Sequence, residues 1–127
     1  MTNEVQSSWS VLVIDDDPDF CLLLQTALPK TFRVDTSASG EEGLEAALGG
    51  SHDLILLDVL MPGIHGFHAL ERLKNEPNTK DTPILITSNL PPDQVEMQAA
   101  EHGAGYINKQ MSIKEIVARI RRTVKDV

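Results

Sequence analysis

The chain has 127 residues, 41% of them hydrophobic, and a formal net charge of −8. That length accommodates one domain with a real core and no second one, and the acidity (pI near 4.8) argues against a surface built to grip nucleic acid, which needs clustered Lys and Arg. The single cysteine, Cys21, excludes an intramolecular disulfide and suits a reducing compartment; among Phe20, Leu22, Leu23 and Leu24 it reads as a packing residue.

Residues 1–9 are polar apart from Met1, Val5 and Trp9 and read as a loose tail, leaving 10–127 as the folded domain. They carry no basic segment followed by an apolar run, and no stretch is long enough to cross a bilayer, so a cytoplasmic protein with no membrane partner is expected. The first strand is Val11 to Asp15. Pro18 ends it, and Asp17 before the proline suits a helix N-cap. Phe20, Leu23, Leu24, Ala27 and Leu28 then recur at helical spacing and predict one buried face.

Further strands are expected at Phe32 to Thr36, Leu54 to Asp58, Ile84 to Ser88 and Tyr106 to Asn108. The helices between them are Glu41 to Leu48, Phe67 to Asn75, and one from Pro92-Asp93 to His102-Gly103. The last helix follows Ser112 as N-cap and presents Ile113, Ile116, Val117, Ile120 and Val124 on one side. Its Arg119, Arg121, Arg122 and Lys125 read as a solvated face suited to a helix C-terminus rather than as a nucleic-acid contact. Strands and helices alternating with short connections predict an α/β domain: a doubly wound, five-stranded parallel sheet of flavodoxin-like topology, order 2-1-3-4-5. The first and third strands are continuous apolar runs, as buried central strands require.

In such a sheet, ligands bind beyond the carboxyl ends of the strands where the strand order reverses. At those ends lie Asp15, Asp16 and Asp17, then Asp58, then Thr87-Ser88, then Lys109. Two like charges 4 Å apart cost about 4 kcal/mol at an effective dielectric of about 20, so clustered carboxylates need a cation. A hard divalent ion takes oxygen ligands and suits them, and Lys109 adds a fixed positive charge. His52, His65, His68 and His102 lack companions at zinc-like spacing and read as surface residues.

The acidic cluster in VLVIDDDP, the strand LILLD followed by VLMPGIHG, the hydroxyl in ILITSN, and GYINKQ resemble, in that order, the receiver domain of two-component response regulators. The motif D-x-x-M-P-x-x-x-G is present as Asp58, Met61, Pro62 and Gly66. The resemblance covers about Ser10 to Lys125 and is nearest in size to the chemotaxis-type single-domain regulators. It implies that Asp58 accepts a phosphoryl group and that Asp15, Asp16, Asp58 and the backbone carbonyl of Leu60 hold Mg²⁺. It implies that Thr87 meets a phosphoryl oxygen, that Lys109 pairs with Asp58, and that Tyr106 is the switch aromatic. It also implies a sensor histidine kinase or phosphotransfer protein upstream. An output protein or domain would read the surface made by the fourth helix, fifth strand and fifth helix, through which a homodimer is also conceivable.

The family usually has proline after its lysine, joined by a cis peptide; here Gln110 follows Lys109. A cis bond before a non-proline residue costs about 3–4 kcal/mol, which leaves a trans bond or a strained site. Two other readings compete. One is a receiver-fold interaction module that is never phosphorylated. The other is a phosphatase of the haloacid dehalogenase type, against which stand Pro18 after the aspartates and the lack of room for a cap domain.

Overall fold

Segments of four to six residues form the strands, and the central ones are largely apolar runs. The computed structural model describes residues 9–59 and 66–125. The elements are β1 (Trp9–Ile14), α1 (Pro18–Ala27), β2 (Phe32–Ser37), α2 (Gly40–Gly49), β3 (Leu54–Asp58), α3 (Gly66–Asn75), β4 (Ile84–Ser88), α4 (Pro92–Glu101), β5 (Gly105–Asn108) and α5 (Ile113–Thr123). They build one parallel sheet in the order β2-β1-β3-β4-β5, as predicted.

Alternate residues of each central strand serve opposite cores. Leu12, Ile14, Ile55, Leu57, Ile84 and Ile86 pack under α2, α3 and α4, while Val11, Val13, Leu54, Leu56, Leu85 and Ile107 pack under α1 and α5. All of β3 and β4 is buried, because helices cover both faces. The edge strand β2 carries Arg33 and Thr36 to solvent. Among the described residues no helix is long and apolar enough to cross a membrane.

Local chemistry ends the helices where the punctuation predicts. Asp17 caps α1, accepting from the Asp19 and Phe20 amides; Ser39 caps α2 and Ser112 caps α5 in the same way. Gly103, with φ of 74°, takes the left-handed conformation just past α4 that other residues adopt at a cost.

Three expectations need correction. Trp9 belongs to β1 rather than to the tail: its amide donates to the Thr31 carbonyl at 3.0 Å and it stands opposite Phe32. Asp15 lies just beyond β1, although its amide still donates to the Ser37 carbonyl at 2.9 Å. On α1 the buried face is Phe20, Cys21 and Leu24, continued by Leu28, while Leu23 is 45% exposed and Ala27 faces solvent. Both stripes share residues 20, 24 and 28; period alone does not say on which side of that line the sheet lies. The small Cys21 fits beside the chain turn, its thiol donating to the Asp15 carbonyl at 3.7 Å.

One glycine joins this frame to the site. A Cβ on Gly66, at the start of α3, would press into the Val59 backbone and stand 3.0 Å from the Asp58 carbonyl oxygen. Gly66→Ala is therefore expected to push the end of β3 aside and to cost about 1–3 kcal/mol by overpacking. The midpoint of urea unfolding measures it, and an unchanged midpoint would show that β3 and α3 have slack at this junction.

Candidate functional site

The three consecutive aspartates after β1 have three different tasks. Asp15 turns inward and is 2% exposed; its Oδ1 accepts from the Asp17 amide at 2.9 Å. Asp16 is exposed, and Asp17 spends its carboxylate on the α1 N-terminus. One strand over, Asp58 is the last residue of β3 and is 5% exposed. Carboxylate oxygens of Asp15, Asp16 and Asp58 all lie within 4.8 Å of one another, the one such gathering of three potential metal-binding side chains among the described residues.

Lys109 follows β5, its amide donating to the Ser88 carbonyl at 2.9 Å. Its peptide bond to Gln110 is trans. Even so the side chain reaches across the sheet edge to place Nζ 2.6 Å from Asp15 Oδ2 and 3.2 Å from Asp58 Oδ2. The Asp15 contact is an attraction of charges at short range; Asp58 receives a directed hydrogen bond. Phe20, from the first turn of α1, lies under the same ammonium, its ring centre 4.9 Å from Nζ.

Burial and charge oppose each other here. Burial raises the Asp15 carboxyl to about 6, outweighing the Lys109 ammonium and the Asp17 amide, with the nearby Asp58 charge adding to the rise. For Lys109, burial favours the neutral amine, but the close Asp15 carboxylate and the bond and charge of Asp58 prevail and hold the ammonium above its ordinary range. Burial, with the charges of Asp15 and Asp17, pushes the Cys21 thiol up to about 11, so it stays protonated and unreactive.

Thr87 is 1% exposed in β4 and stands opposite Asp58 in register. Tyr106 is buried on β5, with its hydroxyl donating to the Leu90 carbonyl at 2.8 Å. Asn108 Nδ2 donates to the same carbonyl at 3.2 Å, and the Leu90 amide donates to Ser88 Oγ at 2.9 Å. The loop after β4 is thus tied at one residue to β4 and β5 together. Sequence reasoning singled out Thr87 and Tyr106 and placed Ser88 at the strand end without a role, but missed Leu90 and Asn108. No local signal marks Leu90, because it participates through its backbone.

Leu60, together with Met61, Pro62 and His65, lies outside the described residues, so the expected carbonyl ligand has no position to report. Of the other histidines, His68 is exposed, and His102 lies against the Phe67 ring at 5.8 Å. His52 corrects the surface reading: its side chain is 6% exposed and its Nε2 is 3.5 Å from Asp35 Oδ2, at the far end of the sheet from the site. Arg119 is not purely solvated either, since it donates to the Tyr106 carbonyl at 3.4 Å.

A carboxylate pair bridged by a lysine, at the switch point of a five-stranded parallel sheet, defines a receiver-type signalling domain. Residues 11–121 match the family model for the response regulator receiver domain, and the chain belongs to that family. It is 32% identical over 117 residues to the DNA-binding dual master transcriptional regulator RpaA of Synechocystis, covering 91% of this chain and 48% of that protein. It is 30% identical over 117 residues to the response regulator ArlR of Staphylococcus aureus, covering 91% of this chain and 52% of that one. The receiver domain of the Francisella response regulator 1452 superposes with a TM-score of 0.83 at 26% identity, over 93% of this chain and 98% of that one. The chain spans about half the length of these two curated relatives and 27% of another.

Proposed function

We propose that the domain receives a phosphoryl group on Asp58 from a histidine kinase or a phosphotransfer protein. The observation that carries this reading is the Lys109 ammonium held between Asp15 and Asp58. An Asp58 oxygen attacks phosphorus in line. The phosphorus–nitrogen bond of the donor's phosphohistidine breaks, its electron pair goes to the imidazole nitrogen, and that nitrogen takes a proton. A carboxylate oxygen is itself the nucleophile, so the step calls for no separate general base. Lys109 and the Thr87 hydroxyl would meet the equatorial oxygens, over which the charge of the transition state is spread.

The hard, closely spaced carboxylate oxygens of Asp15, Asp16 and Asp58 fit Mg²⁺ and would hold it, with the Leu60 carbonyl the further ligand that the family resemblance implies. When bound, it supplies positive charge toward the phosphoryl oxygens. The domain then catalyses only its own phosphorylation and dephosphorylation. Incubation with acetyl phosphate and Mg²⁺ followed by intact mass tests the reading: one labile phosphate is expected, and none sinks it.

The output follows from the Leu90 tie. Thr87 drawn toward a phosphoryl oxygen pulls on the β4 end, and Ser88, Leu90 and Tyr106 carry the shift to the surface of α4, β5 and α5. That surface would meet the output partner or a second copy. Thr87→Ala is expected to accept phosphate roughly 10-fold more slowly, having lost one hydroxyl at the phosphoryl group, and to leave the Tyr106 resonances unmoved. Normal phosphate-dependent shifts at Tyr106 in this variant would refute the route.

A second reading has one observation in its favour. Tyr106, the switch aromatic that the family resemblance implies, is already turned in and bonded to Leu90 in the structure. A module whose α4, β5 and α5 surface is constitutively formed would look the same. It predicts full partner binding by Asp58→Asn.

A further inference from the structure

The Lys109 side chain has four rotatable bonds, and its two carboxylate partners do not keep constant charge. Phosphoryl transfer changes Asp58, and a cation engaged by Asp15 would compete for the oxygen that Lys109 holds at 2.6 Å. The third neighbour of the ammonium is of another kind. Phe20 is 6% exposed, and its ring centre is 4.9 Å from Nζ.

The negative face of an aromatic ring attracts a cation whatever the ionisation of nearby carboxylates. We propose that Phe20 is a positioning residue for phosphoryl transfer, its ring face holding the Lys109 ammonium at Asp58 while the charges around it change. This rests on the phosphoacceptor reading above. The chain builds the contact locally. Asp15 Oδ1 accepts from the Asp17 amide, Asp17 caps α1, and its Oδ1 accepts from the Phe20 amide at 3.4 Å, which sets the ring on the first turn under Lys109. From the other side the Lys109 backbone is fixed by its bond to Ser88 and by the Gln110 amide donating to Asn108 Oδ1 at 2.8 Å. With a trans bond following the lysine, the direction of the side chain is left to what surrounds Nζ.

The test compares Phe20→Leu, which keeps an apolar side chain but has no ring, with Phe20→Tyr, which restores the face. Phosphorylation by acetyl phosphate at saturating Mg²⁺ is expected to slow on the order of 3- to 30-fold in the leucine variant and to recover in the tyrosine variant. Mg²⁺ affinity measured by calorimetry is expected to stay within about twofold, because Phe20 offers no oxygen ligand. In carbon-edited NMR the Lys109 ε-methylene protons should be shifted upfield by the ring in the wild type and the tyrosine variant, and not in the leucine variant. Wild-type rates in Phe20→Leu, or a folded Phe20→Tyr as slow as Phe20→Leu, would overturn the proposal. If Phe20→Leu does not fold, Phe20→Met takes its place. Should the wild type take up no phosphate, the phosphoacceptor reading fails by itself; the ε-methylene shift still judges the contact, and its absence in the wild type refutes it.

Discussion

Asp58→Asn is expected to fold, to bind Mg²⁺ more weakly, and to take up no phosphate from acetyl phosphate, a loss on the order of 10³-fold or more in rate. The amide nitrogen is no nucleophile and the remaining oxygen carries no full charge, so the attacking group is gone while its shape stays. Folding should not suffer. The substitution removes one of two buried carboxylates that share one ammonium, and Asp15 Oδ2 keeps Lys109 at 2.6 Å. Intact mass and the far-UV spectrum check both halves. A variant that still gains a labile phosphate would show that another carboxylate accepts it, and Asp15 or Asp16 would be next to replace.

In metal-free buffer, the wild-type protein is expected to lose stability as the pH rises from about 4 to 6. The cause is Asp15, whose buried carboxyl is raised from 3.8 to about 6. Between those values the folded chain binds more protons than the unfolded one, so stability must fall as protons become scarce, and the cost is complete above about 6. A shift of about two units corresponds to at most about 3 kcal/mol. Asp15→Asn should remove this slope and leave the metal-free protein more stable than wild type at pH 7.

Mg²⁺ should reverse the effect in the wild type at pH 7, adding about 1.4 kcal/mol at ten times its Kd and about 2.7 at a hundred times. In Asp15→Asn that gain should shrink. Urea unfolding with chelator at pH 4.5 and pH 7, then with millimolar Mg²⁺, measures each part. Equal slopes in wild type and Asp15→Asn would mean that Asp15 is not strained by its burial. Opposite signs in the two buffers are the mark of a carboxylate placed for a cation rather than for the fold.

Much of this was legible without coordinates because the deciding physics is local. Apolar runs bounded by Pro18, by the Gly49-Gly50 pair and by Gly103 mark the elements, and Asp17, Ser39 and Ser112 cap helices with bonds spanning two or three residues. Alternation of strand and helix implies a parallel sheet. Its carboxyl edge then brings Asp15, Asp58, Thr87 and Lys109 to one place, which is why those residues could be named in advance.

The direction of each side chain is a different matter, since it depends on residues far away along the chain. Lys109 and Asp58 are 51 residues apart, and nothing near Lys109 announces that a trans bond to Gln110 still lets it reach both carboxylates. The inward face of α1, chosen at Cys21 rather than at Leu23 and Ala27, is set by the sheet and α5 against which the helix packs. Phe20 read as core until the fold put its ring under Lys109, and His52 read as surface until β2 brought Asp35 to it. Composition, period and punctuation thus determined the strands, the helices and which polar residues stand at the strand ends, while the family resemblance supplied the roles expected of them. Only tertiary packing decided that Asp15 is buried and Asp16 exposed, that Tyr106 is tied to Leu90, and that an aromatic face completes the surroundings of the lysine. Those outcomes depend on which distant groups compete for the same small space, and no local pattern records that competition.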